Sequence, residues 1–113
     1  MWLSLLMPSW IIPADAVAVF TVGNELYEYC TADKAKTYYI EQAARCLSYI
    51  ASIADSSTCE LSPPGFGWRP DSGITISQLQ KVVVAFLIAH PEQLHFAANA
   101  LIQESLAKAF PCK

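Results

Sequence analysis

Apolar residues return at alternating steps of four and three through the middle of the chain. Tyr39, Ala43, Cys46, Ile50 and Ile53 share one side of a helical projection, and Glu41, Gln42, Arg45, Ser48 and Ser52 fall largely off it. That spacing predicts an amphipathic helix over 35–55. A shorter helical stretch, 22–30, precedes it, with Val22, Leu26, Tyr29 and Cys30 on one side. A third start is marked by the run TISQ at 75–78. The Thr75 hydroxyl can accept from the Gln78 N–H while the Gln78 side chain reaches back, which is the reciprocal arrangement of a capping box. The helix it opens runs to residue 89 with Ile76, Leu79, Val83, Phe86 and Leu87 inward. His90-Pro91 breaks it. Proline is tolerated in a first helical turn, so a fourth helix is expected over 91–109, with Glu92 near its positive end. Leu94, Ala98, Leu101, Ile102, Leu106 and Ala109 face inward on it, Lys108 suits its C-terminal end, and Phe110-Pro111 stops it. The frequent alanines of this helix suit close helix approach.

No strand pattern stands out. The expected fold is all-α: a small domain of four main helices with one long loop. That loop is 56–74, where Pro63, Pro64, Pro70, Gly65, Gly67 and Gly73 forbid regular structure. Loops this long in small domains are usually functional or disordered, and Phe66 and Trp68 argue against disorder.

The N-terminal run MWLSLLMPSWIIPADAVA is apolar to Ile12 and then rich in small residues. Ala14-Asp15-Ala16 and Ala16-Val17-Ala18 have the small-x-small form read by signal peptidase. The expected organisation is a signal peptide, 1–18, and a single helical domain, 19–113. The usual basic start is missing, since no Lys or Arg occurs before Lys34. The alternative is an apolar arm packed on the domain. Pro8, Pro13 and Asp15 break the run too early for a membrane span.

Charge narrows the partners. The 113 residues carry ten acidic and seven basic side chains, a net charge of −3. No arginine stripe or lysine run is present to neutralise phosphates, so nucleic-acid binding is not expected. Nor is a catalytic set evident. There is no GxSxG elbow, HExxH, EF-hand loop or GxGxxG, and no cofactor is implied. His90 at a helix junction suits capping, and His95 suits the boundary of an apolar stripe. Glu25, Glu28 and Glu41 have ordinary solvated places on helices, Asp55 a place at a helix end, and Tyr27, Tyr29, Tyr38, Tyr39 and Tyr49 suit the core and its edge.

Cys30, Cys46, Cys59 and Cys112 are even in number, and none pairs at CxxC spacing or stands beside a histidine. Zinc ligation fits poorly, and a disulfide framework fits an exported chain. A cysteine after the last helix stop can tether the chain end. Cys59, at the start of the long loop, is its preferred partner, with Cys30 and Cys46 joining the first two helices. Four cysteines allow three connectivities, and the sequence does not choose between them. A cysteine-dependent enzyme would need one of these thiols free.

The segment PPGFGWRPDSG, 63–73, is the one unusual surface candidate: two aromatics and an arginine in a rigid proline frame. Trp and Arg are typical binding anchors, so Phe66, Trp68, Arg69 and Asp71 are the candidate partner-binding residues. Phe66 and Trp68 could instead fold onto the helices as a lid.

An ordered set of short motifs runs through the chain: LYEYC at 26–30, CLSYI at 46–50, Cys59 before a Pro/Gly loop, GITISQL at 73–79, HPEQLH at 90–95 and AFPC at 109–112. Together they resemble the Rap/Tai family of immunity proteins, which protect bacteria from peptidoglycan amidases injected by type VI secretion systems. Ala51 stands where that family commonly has glycine, and Glu60-Leu61-Ser62 separate Cys59 from the prolines. The resemblance implies a secreted, periplasmic, helical protein without enzymatic activity. It implies one that often forms a homodimer and blocks a cysteine amidase of the NlpC/P60 type, its cognate effector, with a protruding loop. The rival expectation is a general envelope interaction domain of the same fold with no toxin partner.

Overall fold

The computed structural model describes residues 21–71 and 73–113; the expected signal peptide, 1–18, lies outside them. Four α-helices follow one another: α1 (Gly23–Cys30), α2 (Tyr39–Ser56), α3 (Ile76–Ala89) and α4 (Ala98–Ala109), with a 3-10 turn at Pro91–Gln93. No strand forms among the described residues, so the fold is the expected all-α domain. Helix α1 packs chiefly on α2 and α3 on α4, and α2 also meets both α3 and α4.

The core is made by the apolar faces that the spacing marks. Leu26, Cys46, Ile50, Val83, Leu87, Leu101, Ile102 and Leu106 are fully buried, and Ala54, Leu79, Phe86 and Ala98 close the same cluster. Two residues expected inward are exposed. Ile76, in the first turn of α3, is 40% exposed, and Ala109, the last residue of α4, also faces solvent. Both sit at helix ends, beyond the layer that the neighbouring helices cover.

Helix α2 starts four residues later than its apolar spacing predicts. The Asp33 carboxylate accepts the Ala35 N–H at 2.9 Å, and Lys36 N–H bonds Asp33 O at 3.0 Å. An aspartate that turns the chain back on its own backbone competes with helix. Tyr39 N–H then bonds Lys36 O at 3.2 Å and the helix begins. Helix α3 begins as expected, with the Thr75 hydroxyl accepting the Gln78 N–H at 3.1 Å. At its other end the His90 ring stacks on Phe86, centroids 4.1 Å apart, with Nδ1 2.9 Å from Phe86 O.

The expected fourth helix over 91–109 is broken. Pro91 starts only a 3-10 turn, and 94–97 leave the helix before α4 begins at Ala98. The cause lies far away in sequence. The first N–H groups of a helix have no partner within it, and α1 takes its partners from this stretch: Gly23 N–H bonds Phe96 O at 2.9 Å, and Asn24 N–H bonds Leu94 O at 2.8 Å. In return Ala98 N–H, at the start of α4, bonds Thr21 O at 2.9 Å, and Val22 pairs antiparallel with Ala97. The Glu25 carboxylate accepts the Val22 N–H at 3.1 Å. Two helix starts therefore cap each other, and continuing the helix through 94–97 would consume the carbonyls that α1 needs.

Both disulfides of the preferred connectivity form. Cys30–Cys46 joins the end of α1 to α2, with Cα atoms 4.9 Å apart, and Cys59–Cys112 joins the long loop to the chain end, 5.9 Å apart. By loss of unfolded-chain entropy they contribute about 3 and about 4 kcal/mol.

The crossing of α1 over 94–101 leaves no room for a side chain at its first residue. A Cβ on Gly23 would lie 2.5 Å from Leu101 Cδ1 and 2.9 Å from Leu94 O. Gly23→Ala is therefore expected to destabilise the oxidised domain by about 1–3 kcal/mol through overpacking. Urea denaturation should show this as a lower midpoint with unchanged slope.

Candidate functional site

The long loop starts where α2 ends, and the two are built together. The last carbonyls of α2 need partners outside the helix. The Ser57 hydroxyl donates to Ile53 O at 2.6 Å, and the Ser56 hydroxyl to Ser52 O at 3.1 Å. Ala54 O accepts Ser57 N–H at 3.3 Å and the Trp68 indole Nε1–H at 2.8 Å. Trp68 is thereby drawn under the loop and is only 6% exposed. Its ring lies 6.0 Å from that of Phe110, tilted by 59°.

The Trp68 backbone is pinned from both sides. Its N–H bonds Ser57 O at 3.2 Å and its carbonyl accepts Cys59 N–H at 2.9 Å. The next residue, Arg69, donates its N–H to Phe110 O at 2.8 Å, and Trp68 pairs antiparallel with Pro111. The Cys59–Cys112 bond joins the two segments that flank Trp68. Gly67 is buried against Cys59: a Cβ there would lie 2.8 Å from Cys59 Cα and 2.9 Å from Thr58 O. Only glycine lets the two backbones approach this closely.

Above this base, Phe66 N–H bonds Pro63 O at 3.1 Å, closing a turn with Pro64 and Gly65 in the middle. Gly65 has φ +87°, the positive value a type II turn requires after its proline. The turn carries Phe66 outward, 61% exposed. Arg69 and Asp71 form an ion pair at 3.3 Å, both partly exposed. Gly73, φ +90°, ends the loop ahead of α3.

The four candidate partner-binding residues thus separate. Phe66, Arg69 and Asp71 lie on the accessible side of the loop, while Trp68 is buried beneath it and serves as the lid's fastening. A further feature is a groove of about 510 Å³ between Gly65-Phe66 and the outer side of α4. Ala100 and Ala107 form its floor, with Gln103, Glu104 and Lys108 along its edge. Glu104 and Lys108 pair at 2.9 Å. Ala100, Gln103, Glu104 and Ala107 recur at helical spacing opposite the buried stripe, and that is the signal by which the sequence marks this groove.

All four cysteines are in disulfides, so no thiol is free for nucleophilic work. The His90 ring is engaged with Phe86, and His95 lies against Phe96 with centroids 4.3 Å apart. Among the described residues no group of three or more His, Cys, Asp or Glu side chains could hold a metal ion.

The structure is that of a small all-α domain stapled by two disulfides, with a braced loop that carries Phe66 outward beside a groove on α4. Residues 22–112 match the family model of the Rap1a immunity proteins, and the chain belongs to that family. Its members bind a cognate effector, and membership implies a non-catalytic protein. Comparison with curated proteins finds no match.

Trp68 combines core burial with one defined hydrogen bond, and two substitutions separate these. Trp68→Ala should destabilise the domain by about 3–5 kcal/mol. Trp68→Phe retains a ring but leaves Ala54 O with only its longer bond, and should lose about 1 kcal/mol plus a smaller packing term. Urea denaturation of the oxidised protein reads both.

Proposed function

We propose that this immunity protein acts in the periplasm, where it plugs the substrate cleft of a peptidoglycan amidase delivered by a type VI secretion system. The enzyme class that fits best is the NlpC/P60-type cysteine amidase. The contact surface is the 63–71 turn with Phe66 at its tip, Arg69 and Asp71 on its flank, and the adjoining groove on α4. Trp68 positions that surface from below. The observation that carries this reading is the exposure of Phe66 on a turn whose base is fixed by Trp68 and Cys59–Cys112. Phe66 is one of seven large apolar side chains exposed among the described residues, and what favours it as an anchor is its place at the tip of a braced turn beside the groove on α4.

Physical considerations support the steric mechanism. Ordering a loop on binding lowers affinity, and a loop already ordered avoids that loss. An aromatic anchor beside an arginine is the composition of interface hot spots. A plug needs only to fill the cleft more tightly than substrate does, with no chemistry of its own. Residues 1–18 would serve as the export signal, and the two disulfides suit an oxidising compartment. No helix among the described residues is long and apolar enough to cross a membrane.

Titration calorimetry against a purified NlpC/P60-type amidase effector tests the reading. Wild-type protein should bind and abolish muropeptide cleavage at one equivalent. Phe66→Ala should weaken binding by at least about 2 kcal/mol, roughly 30-fold, with the melting temperature unchanged. Full affinity in that variant would remove Phe66 from the interface. Failure of the wild type to bind would favour an envelope domain with no toxin partner.

A further inference from the structure

The two disulfides occupy different settings. Cys30–Cys46 is part of the helical core: Cys46 is fully buried and Cys30 packs against the same cluster. Cys59–Cys112 lies at the surface, with Cys112 exposed and Cys59 partly so. It holds no two helices together. It fastens 110–113, the chain beyond α4, to the loop that carries Phe66. The other ties at that point are the Arg69 N–H bond to Phe110 O at 2.8 Å, the Trp68–Pro111 pairing, and the contact between the Trp68 and Phe110 rings.

The tail in turn supports the tip. Pro111, Cys112 and Lys113 line a small cleft of about 250 Å³ together with Pro64, Gly65, Gly67 and Ala107. The underside of the turn that projects Phe66 is therefore the segment beyond α4, whose backbone lies outside any helix.

We infer that Cys59–Cys112 is a redox latch on the effector-binding loop, separable from the fold-stabilising Cys30–Cys46. Opening it releases 110–113 and leaves the turn without its underside, while the four helices stay packed. Closing it sets the loop. The gating of binding rests on the proposed role of this loop; the latch itself does not. Closure is an exchange with an oxidant that is itself a protein or small-molecule disulfide. One cysteine thiolate attacks the oxidant's sulfur and forms a mixed disulfide. The second cysteine displaces the oxidant's sulfur and completes Cys59–Cys112. The oxidant's own S–S bond is broken in the first step, two electrons and two protons pass to its sulfurs, and it departs as two thiols, joined in one molecule where the oxidant is a protein disulfide. A dithiol reductant runs the same steps backwards. A chain not yet exported would hold both thiols reduced, so the loop would be set only in the compartment where the effector arrives.

The test is a dithiothreitol titration of the oxidised protein. Newly freed thiols are alkylated and mapped by peptide mass spectrometry, and amide hydrogen exchange is followed in parallel. Cys59 and Cys112 should become alkylated at about tenfold lower reductant than Cys30 and Cys46, since exposed disulfides are the more easily reduced. In that state the amides of Cys59, Trp68 and Arg69 should lose at least about tenfold in protection while those of α2 and α4 keep theirs. The C59S/C112S variant should show the same pattern without reductant. Simultaneous opening of both bonds, earlier opening of Cys30–Cys46, or undiminished protection at 59, 68 and 69 would overturn the latch. Effector affinity is the separate arm. Loosened amides with reduced affinity in C59S/C112S support gating; loosened amides with full affinity overturn the loop as the contact surface.

Discussion

The burial of Trp68 beneath its own loop is the contact on which the long loop depends. A helix end leaves carbonyls without partners, a long loop has backbone groups to satisfy, and the segment after α4 needs something to lie against. One residue meets all three. The indole N–H takes Ala54 O at the end of α2, the Trp68 backbone ties the loop to Ser57 and Cys59, and the ring gives Phe110 a surface to lie against. The disulfide then makes covalent a meeting that these weaker contacts define. Remove the indole and the loop loses its depth, the tail loses its partner, and Phe66 is carried by a segment with nothing beneath it.

A second constraint operates at the opposite end of the chain. The start of α1 takes carbonyls from 94–97, and the start of α4 takes one from Thr21. Neither helix could be capped this well alone: the residue before α1 is Val22 and the one before α4 is Ala97, and neither side chain can accept a hydrogen bond. Capping is thus moved from side chains to backbone, which makes it a tertiary interaction. The close approach needed for it explains the glycine at position 23. It also makes α1 and α4 mutually dependent, which suits a domain whose core is small.

These features mark what the sequence could reveal. Spacing, together with the TISQ cap and the break at Pro91, marked all four helices, because the buried residues Cys46, Ile50, Leu79, Val83, Leu101 and Leu106 recur at steps that only a helix brings to one side. It failed where a distant or a polar partner decides. The break at 94–97 answers to α1, which no local window contains, and the late start of α2 answers to the Asp33 carboxylate. The loop was visible from its prolines and glycines, but an aromatic residue in such a loop reads equally as anchor or lid. The deciding partner for Trp68 is a main-chain carbonyl, and main-chain groups leave no mark in a sequence. The groove is hidden for a different reason: alanines such as Ala100 and Ala107 suit close helix approach as well as a hollow on a helix surface, and spacing does not tell the two apart.

The loop also divides its residues by the kind of constraint each is under. Gly67 admits no side chain, Trp68 is buried and hydrogen-bonded, and Cys59 and Cys112 are bonded to each other. Substitution at any of these changes the loop's position. Phe66 is held by the Pro63–Pro64–Gly65 turn with its side chain 61% exposed, and the Arg69 and Asp71 side chains pair with each other at the surface while Arg69 Nε is buried. Substitution there changes what the surface offers and leaves its position alone. Specificity is a difference between affinities, and it is easiest to alter where side chains can be exchanged without moving the backbone. On the proposed reading of the loop as contact surface, a change of effector is accommodated at its tip and flank with the base, the disulfides and the helices unchanged.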